Sequence, residues 1–199
     1  MIIGLTGASG SGKSMAAAFF KEKNFFIIDF DSISRKICDK GSPCLKELTE
    51  QFGYDIIDDD GNLKRKALGD IVFKDAQKLN LLNNITHKYI FEESNRLKKE
   101  NTDRIIVYDA PLLFEAELDK ECDIVISIIS DFEIQLDRIV KRDGISKDTA
   151  MGRIKSQKEN SYYIEKSDYY IENNSTPEEF YNKLENLLKE LNIHGDCFK

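Results

Sequence analysis

Residues Gly7-Ala8-Ser9-Gly10-Ser11-Gly12-Lys13-Ser14 satisfy G-x-x-x-x-G-K-[ST], the spacing of a phosphate-binding loop, and no other string narrows the fold as far. The chemistry requires this spacing. Glycines let successive backbone N–H groups turn inward on phosphate oxygens, and a helix that starts there points its positive dipole end at them. Lys13 can reach the β- and γ-phosphates, and the Ser14 hydroxyl can ligate Mg2+. Such a loop must sit between a strand and a helix. Residues 1–6 (MIIGLT) form a short apolar run suited to a buried strand, and MAAAFFKEK after the loop suits a helix packed on a sheet. Residues 25–29 (FFIID) read as a second buried strand. Strand, loop, helix and strand in this order open a parallel α/β fold that binds a nucleoside triphosphate.

The chain has 199 residues, room for one compact α/β domain or a core with one insertion. With 41% apolar and 33% charged residues it is not a disordered chain. A net charge of −7 speaks against a general nucleic-acid coat protein, although a local basic cluster can still hold an anion. No apolar run approaches the roughly 18 residues of a membrane span, and MIIGLTG lacks the basic start of a signal peptide. The expectation is a soluble cytoplasmic protein, without membrane or nucleic-acid partners. Cys38, Cys44, Cys122 and Cys197 include no C-x-x-C pair, and His87 and His194 are the only histidines. Reduced thiols are expected, and any metal should be held by oxygen.

Residues 32–101 read as a helical insertion. Its turn signals are Gly41-Ser42-Pro43, Gly53 and Asp58-Asp59-Asp60-Gly61, and a helix over 75–99 puts Leu82, Ile85 and Tyr89 on one face. Strands return at 104–109 and 123–129. Ser130-Asp131-Phe132-Glu133 reads as a capping box for a helix with Phe132, Leu136, Ile139 and Val140 inward, ending near Gly144. Residues 147–167 are polar and helical with few apolar anchors, which suggests a mobile flap. Residues 169–172 read as the last strand. Thr176-Pro177-Glu178-Glu179 is a second capping box, and the helix it opens turns Phe180, Leu184, Leu187, Leu188 and Leu191 to one face. The end after Leu191 is expected to fray.

A GTPase would carry a base-reading N-K-x-D after a strand; Asn182-Lys183-Leu184-Glu185 lies inside the last amphipathic helix and ends in Glu. A small-molecule kinase is the remaining class. At this level a nucleoside or nucleotide kinase, or a nucleotide-dependent switch, stays open.

Several strings together resemble the dephospho-coenzyme A kinase family. They are Ile3-Gly4-Leu5-Thr6-Gly7 with the loop itself, Asp29-Phe30-Asp31-Ser32-Ile33, and Asp60-Gly61-Asn62-Leu63 through Leu68. Leu82-Asn83 with Thr86-His87, Pro111-Leu112-Leu113-Phe114-Glu115, Gln135-Leu136-x-Arg138 with Arg142-Asp143, and Arg153-Ile154-x-x-Gln157 continue the series in order. Lys88 stands where the family often has Pro, Ala8 where a second Gly is common, and Lys166 where Arg is common. The resemblance implies a P-loop NTPase core with a five-stranded parallel sheet, built from 1–31, 102–142 and 169–199. It further implies a helical acceptor-binding insertion over 32–101 and a helical lid over 143–168. The implied reaction is transfer from ATP, with Mg2+, to the ribose 3′-hydroxyl of 3′-dephospho-CoA, giving CoA and ADP, by a monomer that self-associates weakly at most.

The resemblance also distributes roles. Lys13, Arg142 and Asp31 are the catalytic candidates, Asp31 to orient and deprotonate the acceptor hydroxyl. On residue type alone Asp31 is equally a helix N-cap, and Asp29 is strand-end support. ATP is assigned to Gly10, Ser11, Gly12, Lys13, Ser14, Met15, Arg138 and Asn173. The acceptor is assigned to Thr6, Asp31, His87, Pro111, Leu112 and Leu113. Thr6 is otherwise a local structural hydroxyl and His87 a half-buried structural histidine. Ser14 and Asp109 are the Mg2+ candidates, with Asp109 otherwise an ordinary strand terminus. Arg138 and Arg142, four apart, share a helix face that is otherwise simply solvated.

Overall fold

A computed structural model describes residues 1–194; Cys197 and the extreme end lie outside the described residues. The chain divides into two compact units, one of Met1–Ile28 with Asn101–Lys199 and one of Asp29–Glu100.

The first unit is built on a parallel sheet of five strands among the described residues. These are β1 (Ile2–Thr6), β2 (Phe26–Asp29), β3 (Ile106–Asp109), β4 (Ile124–Ile129) and β5 (Tyr169–Glu172), in the order β2-β3-β1-β4-β5. The central strand β1 aligns Ile3 with Val107 on one side and with Ile124 on the other. Flanked on both edges and covered on both faces, it must be apolar throughout, which is why MIIGLT carries no alternation. Ile3 and Leu5 face α1 (Lys13–Glu22) and α9 (Pro177–Glu190). Ala16, Ala17, Phe19, Phe20, Phe180, Leu184, Leu187 and Leu188 bury themselves there with Ile126, Ile128 and Ile171. On the opposite face a Cβ at Gly4 would come within 2.9 Å of Leu113, so that close approach needs glycine.

The Thr176 hydroxyl caps α9 as expected, accepting the Glu179 N–H at 3.3 Å. The expected frayed end is corrected over its described part. Asn192 takes a left-handed φ of 52°, and Ile193 turns back so that its N–H reaches the Leu188 carbonyl and its side chain is buried. The expected box at 130–133 also differs. The N-cap of α6 (Phe132–Asp143) is Asp131, whose side chain makes no capping bond, and Ser130 is engaged elsewhere. Phe132 is exposed, while Leu136 and Ile139 are buried. Gly144 ends α6 in the left-handed conformation. Beyond it come α7 (Lys147–Lys155) and α8 (Asn160–Lys166). The segment has more apolar anchoring than its composition suggested. Ala150, with Ile145, Met151 and Ile154, packs on Leu136, Ile139 and Val140 of α6, and Tyr163 is buried from α8.

The second unit is wholly helical in its long elements: α2 (Phe30–Lys36), α3 (Pro43–Phe52), α4 (Arg65–Val72) and α5 (Ala76–Glu100). Ser42 caps α3, accepting the Leu45 N–H, with Pro43 in the first turn. Asp58 accepts the N–H groups of Asp60 and Asn62, closing the turn before α4. Leu48, Ile56, Leu68, Val72 and Ile85 form this unit's own core, with Leu82 and Tyr89 packed against it from α5. Cys38 and Cys44 are buried in the same core, and the three described cysteines are free thiols.

Candidate active site

The loop between β1 and α1 winds through the positive-φ glycines Gly7, Gly10 and Gly12, and none of the three has room for a side chain, the clash being sharpest at Gly7 and Gly12. A Cβ at Gly7, with φ of +147°, would meet the Ile128 carbonyl oxygen at 2.3 Å, and one at Gly12, with φ of +103°, would meet Asn173 Nδ2 at 1.9 Å. Lys13 leaves the loop at the first residue of α1, and its ammonium pairs with the Asp109 carboxylate at the end of β3, both side chains largely buried. Ser14, one residue on, is exposed at the positive end of the same helix, with Met15 half-buried behind it.

Arg138 and Asn173 hold the loop from behind. Arg138 Nη1 donates to the carbonyls of Gly10 (3.2 Å) and Ser11 (3.4 Å), and its Nη2 donates to Asn173 Oδ1 (3.2 Å). Asn173 Nδ2 in turn donates to the Ser11 carbonyl at 2.8 Å. Burial lowers the Arg138 pKa. Ser130, at the end of β4, donates its hydroxyl toward the Asn173 carbonyl and Asn174 Oδ1, both at 3.0 Å. Its own carbonyl accepts from Gln135 Nε2 and Asn160 Nδ2. This buried polar set joins the loop to β4, β5 and α6, each group satisfied by another.

Arg142 lies on the loop's outer side. Its guanidinium forks onto Asp143 at 2.7 and 3.0 Å and reaches the Ser9 hydroxyl at 3.3 Å. Arg153 also pairs with Asp143. Hydrogen bonding from Arg142, reinforced by Arg153, holds the Asp143 carboxyl down at about 2. Gln157, between α7 and α8, accepts the Ser9 N–H on Oε1 at 2.7 Å.

A sequence model of the dephospho-CoA kinase family matches residues 1–179. The chain belongs to the dephospho-CoA kinase family. The dephospho-CoA kinase of Fusobacterium nucleatum is 43% identical over 191 residues, spanning 96% of this chain and 98% of that one. That of Bacillus cereus is 37% identical, spanning 97% and 98%. Among solved structures, a Thermus thermophilus protein superposes with a TM-score of 0.83 at 25% identity, over 96% of this chain and 97% of the other. The dephospho-CoA kinase of Campylobacter jejuni does so with a TM-score of 0.68 at 28% identity, over 96% of each.

In this dephospho-CoA kinase family member the first unit brings together Lys13, Asp109, Arg138, Arg142 and Asn173. Thr6 is fully buried, and its hydroxyl donates to the Pro111 carbonyl at 3.3 Å. Leu113 is fully buried under β1, whereas Leu112 is 64% exposed. Asp31 and His87 belong to the second unit. Asp29, not Asp31, is the N-cap of α2, accepting the Ser32 N–H at 2.9 Å; Asp31 is exposed in the first turn. His87 is exposed on α5, so the half-buried reading does not hold.

Sequence reasoning did not single out Ser9, Ser130, Gln157, Asn160 or Asn174 for the site. Ser9, inside the loop motif, and Gln157, the last residue of Arg153-Ile154-x-x-Gln157, carried a signal; Ser130, Asn160 and Asn174 carried none for the site. For Mg2+, the Ser14 hydroxyl and the Asp109 carboxylate are hard oxygen donors of the type that ion takes. Among the described residues no three His, Cys, Asp or Glu side chains form a metal cage, so such an ion would take most of its shell from phosphate and water.

Proposed function

We propose that the chain transfers the γ-phosphoryl group of ATP to the ribose 3′-hydroxyl of dephospho-CoA, giving CoA and ADP, the last step of coenzyme A formation. Membership of the family over nearly the whole chain carries this reading, and the loop geometry is consistent with it. Phosphoryl transfer is mainly positioning and charge neutralisation. The amides of Gly10, Ser11, Gly12, Lys13 and Ser14 surround the phosphates, and Lys13 neutralises the β- and γ-groups. Arg142 meets the charge on the transferring group with its planar fork. Ser14 and Asp109 would hold Mg2+, which arrives with ATP and neutralises phosphate charge. Arg138 and Asn173 serve ATP through the loop carbonyls they hold.

Asp31 takes the proton of the 3′-hydroxyl as its oxygen bonds to the γ-phosphorus and the bond from phosphorus to the β–γ bridging oxygen breaks. With the capping of α2 done by Asp29, Asp31 is released for this work. The helical unit carries the acceptor side, with His87, while Thr6 supports Pro111, and Pro111 with Leu112 and Leu113 shapes the pocket wall. The segment over 143–168 acts as a lid that keeps water from the γ-phosphate. The protein works as a monomer in the cytoplasm.

The test is a coupled ADP-release assay with Mg·ATP, with and without 3′-dephospho-CoA, the product being weighed by mass spectrometry. Acceptor-dependent ADP release with CoA as product is the expected result. No stimulation in protein that still binds ATP would overturn the acceptor and leave the loop argument standing.

A further inference from the structure

Ser9 has both its amide and its hydroxyl held by side chains from beyond the middle of α6. Its N–H donates to Gln157 Oε1 at 2.7 Å, and its hydroxyl accepts from Arg142 Nη2 at 3.3 Å. The neighbouring carbonyls of Gly10 and Ser11 are held by Arg138 and Asn173. The loop is therefore gripped at two separate places. One grip comes from the sheet and α6, and the other includes a link to the segment joining α7 and α8. That segment is itself anchored a second time, because Asn160 Nδ2, at the start of α8, donates to the Ser130 carbonyl at 3.0 Å. Residues 157–160 thus bridge the tip of the phosphate loop and the end of β4.

The chemistry of a glutamine suits this place. An N–H can be met only by an acceptor, so the Ser9 amide fixes the carboxamide with its oxygen toward the loop and its NH2 turned away. A neutral acceptor makes the bond without setting a negative charge beside phosphate, as a glutamate would. The partners stand 148 positions apart, so the bond forms only when the α7–α8 segment lies on the loop.

We propose that Gln157 is a positioning residue for phosphoryl transfer: its side-chain oxygen fastens the lid to the phosphate loop at Ser9 and thereby sets the lid in the register that favours the acceptor hydroxyl over water. The proposal rests on the kinase reading above. It makes the Ser9–Gln157 bond a determinant of how ATP turnover divides between transfer and hydrolysis.

The experiment compares wild type with Gln157→Ala and Gln157→Glu, each first shown folded by its melting curve. Amide exchange at Ser9, followed by NMR, reads the bond directly. In Gln157→Ala that amide should exchange roughly five- to tenfold faster. The same variant should lose about tenfold or more in kcat for transfer with KM for ATP changed little, and its ratio of acceptor-free hydrolysis to transfer should rise about tenfold. Gln157→Glu keeps an acceptor for Ser9, so it should retain slow exchange at Ser9 while KM for ATP rises. Unchanged Ser9 exchange in Gln157→Ala, or faster exchange with an unchanged hydrolysis-to-transfer ratio, would overturn the proposal. Wild type without acceptor-dependent turnover would overturn the kinase reading, and the transfer role with it. The unsubstituted control shows this separately from any effect at Gln157.

Discussion

Lys13 and Asp109 stand 96 residues apart in sequence and meet as a largely buried ion pair, the first at the end of the phosphate loop and the second at the end of β3. The pairing follows from strand order. β3 lies beside β1, with Leu5 opposite Asp109, so the end of β3 comes up beside the turn that follows β1. A carboxylate there holds the lysine ammonium in place, and under the proposed function it is also an oxygen donor for Mg2+.

Asp109→Asn should therefore fold, keep ADP binding within a fewfold, and lose about a hundredfold in kcat. The Mg2+ concentration for half-maximal rate should rise, and chelation by EDTA should abolish turnover in wild type. A melting curve and an ADP titration check folding and binding, and a Mg2+ titration of ADP release with an EDTA control checks the rest; an unchanged Mg2+ midpoint would remove Asp109 from the metal's surroundings.

Gly12→Ala should be strongly damaging. It places a methyl 1.9 Å from Asn173 Nδ2 and keeps an L-residue at φ +103°. The left-handed backbone alone costs about 1–2 kcal/mol, before Asn173 is displaced from Ser11 and Arg138. Asn173→Ala removes the same bonds without the strain and should cost about 1–3 kcal/mol. Denaturant melts and ADP titrations of the two variants should rank them in that order.

Asp31→Asn should bind ATP as wild type does and transfer at least about a hundredfold more slowly, because the amide cannot take the hydroxyl proton. Since Asp29 caps α2, the melting temperature should hardly move, whereas Asp29→Ala should lower it by the equivalent of about 1 kcal/mol. Near-normal kcat in Asp31→Asn would exclude it as the base.

The Asp143 carboxyl, held at about 2 by Arg142 first and Arg153 after it, lies below its ordinary value of 3.8. A depressed carboxylate favours the folded state above the ordinary value, and this contribution fades as pH falls from about 4 through 2. Carbon-13 titration of Asp143 should show a midpoint near 2, and in Arg142→Ala the midpoint should move up toward 3.8. A midpoint unmoved by that substitution would show that Arg142 is not the dominant cause.

The sequence made legible whatever is decided within a few residues. The phosphate loop, its strand and its helix are one local motif, and β2, β3 and β4 were visible as apolar runs because a covered parallel sheet needs them, while β5 at the sheet edge was legible from its short Tyr169–Glu172 string. Thr176, equally local, was legible as a cap, whereas Ser42, read only as part of a turn, is the cap of α3. Ser130 was not legible, because its hydroxyl answers to Asn173 and Asn174, 43 and 44 residues away. The cap of α2 turned on two residues of helix phase, which composition cannot resolve: a start near Ser32 would make it Asp31, and the start at Phe30 makes it Asp29. Ser9 and Gln157 each lay in a recognised string, but their pairing across 148 positions was not legible, because only the fold makes them partners.

The place of β1 has a consequence for how the chain is made. The central strand β1 leaves the ribosome long before its neighbours β3 and β4, which begin at Ile106 and Ile124. At roughly 5–20 residues per second, β1 waits on the order of 5–20 s with both edges unpaired. The helical unit, whose contacts are local and whose core is its own, emerges complete in that interval. The catalytic sheet is therefore the last part of the newborn chain to close, and the exposed apolar edge of β1 is the segment a chaperone would have reason to guard.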